Sequence, residues 1–162
     1  MIARNKESYE YFKKSFQKRK IKKTYRAIVY GNVESNTGEI NSQIGRSKRD
    51  FRLRATEGSA IGNLRDAFTC YKVLNRAGEY SHLEVYPETG RTHQIRVHLK
   101  SISHPIVCDS LYAKNRFCPE SLGRLALHAF EISFTLPDDI RATFRADEPE
   151  EFGNFLAETP ES

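Results

Sequence analysis

A chain of 162 residues, 38% hydrophobic and 11% aromatic, has room for one domain with a core and little room for two. No apolar run approaches the roughly 18 residues a membrane span needs, and the opening "MIARNKESYEYFKKS" is polar from Arg4 onward and does not read as a signal-peptide core. The net charge of +5 conceals an asymmetry, since residues 1–54 hold 15 of the 26 Lys/Arg but only 5 of the 21 Asp/Glu; a half this basic points to a polyanionic partner, because each cation near a phosphate releases condensed counterions.

Along the chain, Asn5 is placed to cap a helix reaching about Lys20, with Ser8, Phe12 and Phe16 recurring every fourth residue. Lys13, Lys14, Lys18, Arg19 and Lys20 lie on or near its other faces, and Lys22 and Lys23 follow. "KTYRAIVYG" alternates and ends at Gly31, which reads as a strand. "GEINSQIGRSKRDFRLRA" reads as two short strands around a basic turn of Arg46, Lys48 and Arg49. "AFTCYKVLNRAGEYSHLEVYP" is a hairpin, turning near Gly78 and closed by Pro87. The period then changes. Ile95, Leu99 and Ile102 follow a helical spacing, Thr89-Gly90 stands where a cap belongs, and Pro105 ends the element. "LHAFEISFTLP" and "RATFRAD" return to strand alternation, and Pro149 opens a last helix carrying Phe152, Phe155 and Leu156. Hairpin-linked strands with a few helices predict an α+β fold on a mainly antiparallel sheet.

The stretch "ETGRTHQIRVHLKSISHP" concentrates Arg91, Thr92, His93, Gln94, Arg96 and His98. His93 and His98 are five apart, on different faces of a helix, and the turn has no acidic residue, so no metal is expected there. Cys70, Cys108 and Cys118 are odd in number and irregularly spaced, which argues against a disulfide framework and suits a reducing cytoplasm. A helix opened by Gly90 would offer free N–H groups to an anion beside Arg91 and Thr92. The Arg96 guanidinium could hold a carboxylate at two points and keep it ionised, or it could simply face water. Tyr25 could stack on a base or fill the core.

"TGRTHQIRVHL" followed by "SHPIVCDSLYA" resembles the signature of the RluA-type RNA pseudouridine synthases. "IARNKESYEYFKKSFQ", "KKTYRAIVYG" and "RLALHAFEISFTLP" resemble three further family segments in the same order. The resemblance covers nearly the whole chain. It implies the pseudouridine synthase catalytic-domain fold and isomerisation of uridine to pseudouridine in structured ribosomal or transfer RNA, in the cytoplasm, with no metal, cofactor or ATP. It also implies an essential aspartate acting on the sugar. Tyr25 matches the family's active-site tyrosine, and Arg96 matches the arginine that pairs with the catalytic aspartate. Ile95 and Leu99 support that helix, Ile95 nearer the pocket, and both are expected on the substrate side with Arg91, Thr92, His93 and Gln94. The basic set Lys13, Lys14, Lys18, Arg19, Lys20, Lys22, Lys23, Arg46, Lys48 and Arg49 is expected to meet RNA.

Two positions depart from the family pattern. Cys108 and Ala113 stand where glycine is usual, and a positive φ at either would be strained. The larger departure is that the family's "HRLD"-like aspartate motif, expected just upstream of "IARNK", does not occur. Asp109 belongs to a separate turn and is not read as the nucleophile. Residues 1–157 are therefore read as a partial catalytic domain and 158–162 as an acidic tail. The isolated chain is expected to be inactive, its Arg96 lacking the acid it should grip. The alternatives are one half of a split enzyme and a non-catalytic RNA-binding module. A truncated sheet would leave an edge inviting self-association or a partner chain.

Overall fold

The computed structural model describes residues 2–160. Asn5 is extended, and its side chain accepts a hydrogen bond from the Ser8 N–H at 2.8 Å, so helix α1 runs Lys6–Gln17. It ends short of Lys20 because Arg19 enters the left-handed region at φ 56°. Phe12 on its apolar side meets Phe134 edge-on at 5.1 Å.

The strands are β1 (Lys22–Tyr30), β2 (Thr37–Asn41), β3 (Ile44–Ser47), β4 (Arg54–Thr56), β5 (Ala60–Arg65), β6 (Phe68–Ala77), β7 (Tyr80–Pro87), β8 (Leu127–Thr135) and β9 (Arg141–Arg145). Helix α2 (Gln94–Ser101) interrupts them, and α3 (Glu150–Glu158) follows. Six strands form one sheet in the order β2-β6-β7-β1-β8-β9, and β4-β3-β5 form a small second sheet. Every described strand pairing is antiparallel. This is an α+β fold. The segment read as two strands around a basic turn divides differently. β2 joins the large sheet, while β3 and β4 flank the turn in the small one, which β5 completes.

The central strand β1 is buried from Ala27 to Tyr30, so both faces of the large sheet are covered there. Ile95 and Leu99 of α2, Ile106 and Val107 join Leu83 and Val85 in one core; Phe152 and Phe155 of α3 complete it, Phe155 meeting the Tyr80 ring at 4.9 Å. Of the expected tail, Glu158 still belongs to α3 and the Thr159 hydroxyl donates back to the Phe155 carbonyl at 2.8 Å, while residues 161–162 lie outside the described part. No described helix is long and apolar enough to cross a membrane.

Candidate active site

Helix α2 is placed by a buried polar relay. The Gln94 side chain is almost fully enclosed. Its Oε1 accepts from the Thr89 hydroxyl at 2.7 Å and from the Arg91 N–H at 3.0 Å, and its Nε2 donates to the Phe68 carbonyl and the Thr69 hydroxyl, both at 2.9 Å. His98 continues the relay, with Nδ1 at 2.9 Å from the Thr69 hydroxyl and Nε2 at 3.0 Å from the Ser42 carbonyl. Burial pushes the His98 pKa down, so the ring is neutral, with Nε2 donating and Nδ1 accepting.

This arrangement corrects three expectations. The helix does not open at Gly90 but at Gln94, behind His93 in the left-handed region at φ 57°. Gln94 has no hydrogen-bonding capacity left for a substrate, because Nε2 is spent anchoring α2 to β6 and Oε1 is spent on Thr89 and Arg91 in the preceding loop. Leu99 is wholly buried in the core and does not touch a binding surface.

Tyr25, Ile95 and Arg96 do come together. With Lys23, Pro87, Leu127 and residues 89–91 and 93–94 they line a cleft of about 190 Å³, on the scale of a single base. Burial pushes the Tyr25 phenol above its ordinary pKa, so it keeps its proton at neutral pH. The Lys23 ammonium donates to the Thr89 carbonyl at 3.1 Å, and burial lowers its pKa.

Arg96 is not waiting for an acid. Its Nε donates to Asp109 Oδ2 at 2.7 Å and its Nη2 to Oδ1 at 2.6 Å. The expectation that nothing in the chain meets this guanidinium is therefore wrong. Asp109 nonetheless cannot act on a substrate. Its side chain has no exposure, and Oδ1 also accepts the N–H groups of Leu111 (3.0 Å) and Tyr112 (2.9 Å). Burial opposes ionisation of Asp109, but Arg96 and these two N–H donors outweigh it and hold the carboxyl below its ordinary pKa. Among the described residues no carboxylate lines the cleft that holds Tyr25.

The turn carrying Asp109 contains the two departures. Cys108 does adopt a positive φ, 57°, whereas Ala113 is not among the described positive-φ residues. Cys108 is disulfide-bonded to Cys118, which corrects the reading of three unpaired cysteines; Cys70 is free. Among the described residues no group of three or more His, Cys, Asp or Glu is placed to hold a metal.

The basic residues fall into separate groups. Lys13, Lys14, Lys18, Arg19, Lys20, Lys22, Arg46, Lys48 and Arg49 are all exposed. Arg19 and Lys23 line a cleft of about 410 Å³ that ends at Gly90 and Arg91. Arg46, with Arg54, Arg65, Arg91 and Thr92, lines another of about 490 Å³ that also reaches Gly90. Lys48 and Arg49 instead face a third cleft beside Lys100 and Tyr112. Arg54 and Arg65 were not singled out from the sequence. Arg54 stood in the segment read as two strands around a basic turn but was not named with it, and Arg65 stood where no strand was recognised; the only signal of either was basic charge.

The model of the RNA pseudouridylate synthase family matches residues 1–101. The chain belongs to the RluA-type RNA pseudouridine synthase family. Over 137 residues it is 38% identical to the dual-specificity RNA pseudouridine synthase RluA of Vibrio cholerae, covering 85% of this chain and 54% of that protein. Over 154 residues it is 37% identical to the ribosomal large subunit pseudouridine synthase D of Neisseria meningitidis serogroup B, covering 89% of this chain and 40% of that one. The chain thus spans about half the length of these relatives. The solved structure of human RNA pseudouridylate synthase domain containing 1 matches with a TM-score of 0.79 at 25% identity, over 99% of this chain and 75% of that one.

Proposed function

We propose that this chain provides the base-holding and arginine side of an RNA uridine-to-pseudouridine isomerase. The observation that carries the reading is the convergence of Tyr25, Ile95 and Arg96 on one base-sized cleft at the meeting point of two basic clefts. A uridine turned out of its stack would rest its base against the Tyr25 ring and Ile95, while its flanking phosphates lie toward Arg19, Lys23, Arg46, Arg54 and Arg65. In the reaction the C1′–N1 bond breaks, the uracil turns within the cleft, and C1′ bonds to C5. The C5 proton leaves and N1 gains one. A protonated Tyr25 beside the base is suited to that proton movement, and Arg96 to orienting an acidic group. The target is structured ribosomal or transfer RNA, met in the cytoplasm, and the chemistry calls for no cofactor.

Asp109 is sealed and no carboxylate among the described residues lines the cleft, which supports the reading that another chain segment supplies the acid and that this chain alone does not turn over. Tritium release from RNA carrying 5-labelled uridine tests this: release above blank by the purified chain overturns it. The missing carboxylate also favours a second reading, a non-catalytic RNA-binding module. The two separate without turnover. A synthase cleft binds a target RNA more tightly than the same RNA made abasic at that uridine, and Tyr25→Ala erases the difference. Base–aromatic stacking sets its size at about 1–3 kcal/mol. Equal affinity for the two RNAs in the unaltered chain supports the module and sinks the isomerase site. We further propose that the edge of the large sheet accepts a strand from a partner chain.

A further inference from the structure

The bidentate pair between Arg96 and Asp109 asks what a sealed, ionised aspartate does behind a cleft it cannot reach. Three contacts define the guanidinium. One edge, Nε and Nη2, is taken by the two Asp109 oxygens at 2.7 and 2.6 Å. One face lies over the Tyr112 ring, 4.9 Å from its centroid. The ring is itself fixed, because its hydroxyl accepts the Arg54 N–H at 2.9 Å and sits 2.9 Å from His93 Nδ1. The backbone sits in α2, which the Gln94 relay fastens to β6. What the pair leaves over is the second N–H of Nη2 and both N–H groups of Nη1, which have no hydrogen-bond partner among the described residues. A guanidinium is planar, so holding Nε and Nη2 on one edge fixes the direction of Nη1.

We propose that Asp109 is a positioning residue: it clamps Arg96 from behind so that the Nη1–Nη2 end of the guanidinium is presented to the Tyr25 cleft, as a preset donor fork for an incoming carboxylate. This rests on the reading of that cleft as an isomerase site. A free arginine side chain would offer its five N–H donors in many orientations, and an entering acid would have to order it. The clamped one is ordered beforehand, by an acid that the N–H groups of Leu111 and Tyr112 hold in turn. The clamp also explains why Asp109 is buried as an anion although it is no nucleophile.

The test reads Arg96 directly, in ¹H–¹⁵N spectra of the arginine side chains of the full chain. The Arg96 Nε–H signal, identified by its loss in Arg96→Lys, is expected to exchange with water at least about ten-fold more slowly than exposed arginines, as a charged hydrogen bond predicts. Asp109→Asn keeps an oxygen for the Leu111 and Tyr112 N–H groups but removes the two-point anion. It is expected to bring Arg96 to the exchange rate of exposed arginines while those two backbone amides stay protected. Acetate, compared with chloride at equal ionic strength, probes the free Nη1–Nη2 end. It should shift the Arg96 signal, and Asp109→Asn should need about ten-fold more acetate for the same shift.

An Arg96 signal unchanged in Asp109→Asn, or one that acetate does not move in the unaltered chain, overturns the proposal. So does loss of Leu111 and Tyr112 protection with Arg96 still protected, which is the mark of a merely structural aspartate. If Asp109→Asn does not fold, the Asp109 carboxyl is titrated by ¹³C spectra in Arg96→Lys. A rise from its depressed value supports the clamp and no change sinks it. Turnover enters none of these spectra, so failure of the isomerase reading and failure of the clamp show separately.

Discussion

His98 has no solvent exposure, and its ring is held between the Thr69 hydroxyl and the Ser42 carbonyl. A second proton would turn Nδ1 from acceptor into donor against a hydroxyl that is donating to it. Burial already pushes the folded-state pKa below its ordinary value. The sign follows from linkage. The unfolded chain binds the proton more readily, so the stabilisation is complete above the ordinary histidine pKa, about 6.5, and is lost as pH falls from there through the folded value. One such group contributes up to about 1.4 kcal/mol per pH unit in that window. Urea unfolding at pH 7.5 and 5.5 should show the unaltered chain losing about 1 kcal/mol more than His98→Gln. Equal losses would remove His98 as the cause. Composition pointed to this stretch but could not sort its members. The identities of His93, Gln94 and His98 were plain, whereas their roles depend on Ser42, Phe68, Thr69 and Tyr112, all distant in sequence. Tyr25 and Arg96 were legible only through the family motif.

Among the elements, those with a buried stripe were legible and those without were not. α1, β1 and the β6–β7 hairpin declare their periods because one or both faces meet the core. β5 runs almost wholly exposed, so its residues carry no alternation to find. The start of α2 was misplaced for another reason: Thr89-Gly90 has cap chemistry, but the Gln94 side chain takes the Thr89 hydroxyl and the helix begins later. The Cys108–Asp109 turn joins both lessons. The family preference for glycine identified Cys108 as a strained position, and its φ of 57° agrees, yet the bridge to Cys118 was not foreseen from a spacing of ten. Closing that loop removes unfolded-state freedom worth about 3 kcal/mol, while a side chain in the left-handed region costs about 1–2 kcal/mol. Cys118→Ser should therefore destabilise the chain by about 2–3 kcal/mol in urea unfolding, and a reductant should bring the unaltered chain to the same midpoint. Cys108→Gly combined with Cys118→Ser should recover about 1 kcal/mol of that loss. A double variant no more stable than Cys118→Ser would mean the left-handed turn carries no cost.

At the scale of the whole molecule, the basic charge of residues 1–54 does not form one stripe. It divides between clefts that share Gly90 and Arg91 and a further one beside Tyr112. The large sheet also ends on two strands, β2 and β9, each with one side unpaired among the described residues. Such edges invite another strand, but charge decides which. A second copy of β9 pairing antiparallel about Thr143 would set Arg141 opposite Arg145, and a second copy of β2 paired about Glu39 would set two glutamates face to face. Like charges directly opposite are destabilising. Self-pairing is therefore disfavoured at both edges, and β9 instead suits a strand of acidic character from another chain, the phenyl ring of Phe144 already stacked on Phe134 beside it. Sedimentation at low salt should return the 18.7 kDa monomer across a wide concentration range. Any association that does appear should strengthen with salt, as screening removes the arginine repulsion. A dimer that forms at low salt and weakens as salt is added would show that an attractive pairing of charges joins two copies, and the argument from the β9 arginines would fail.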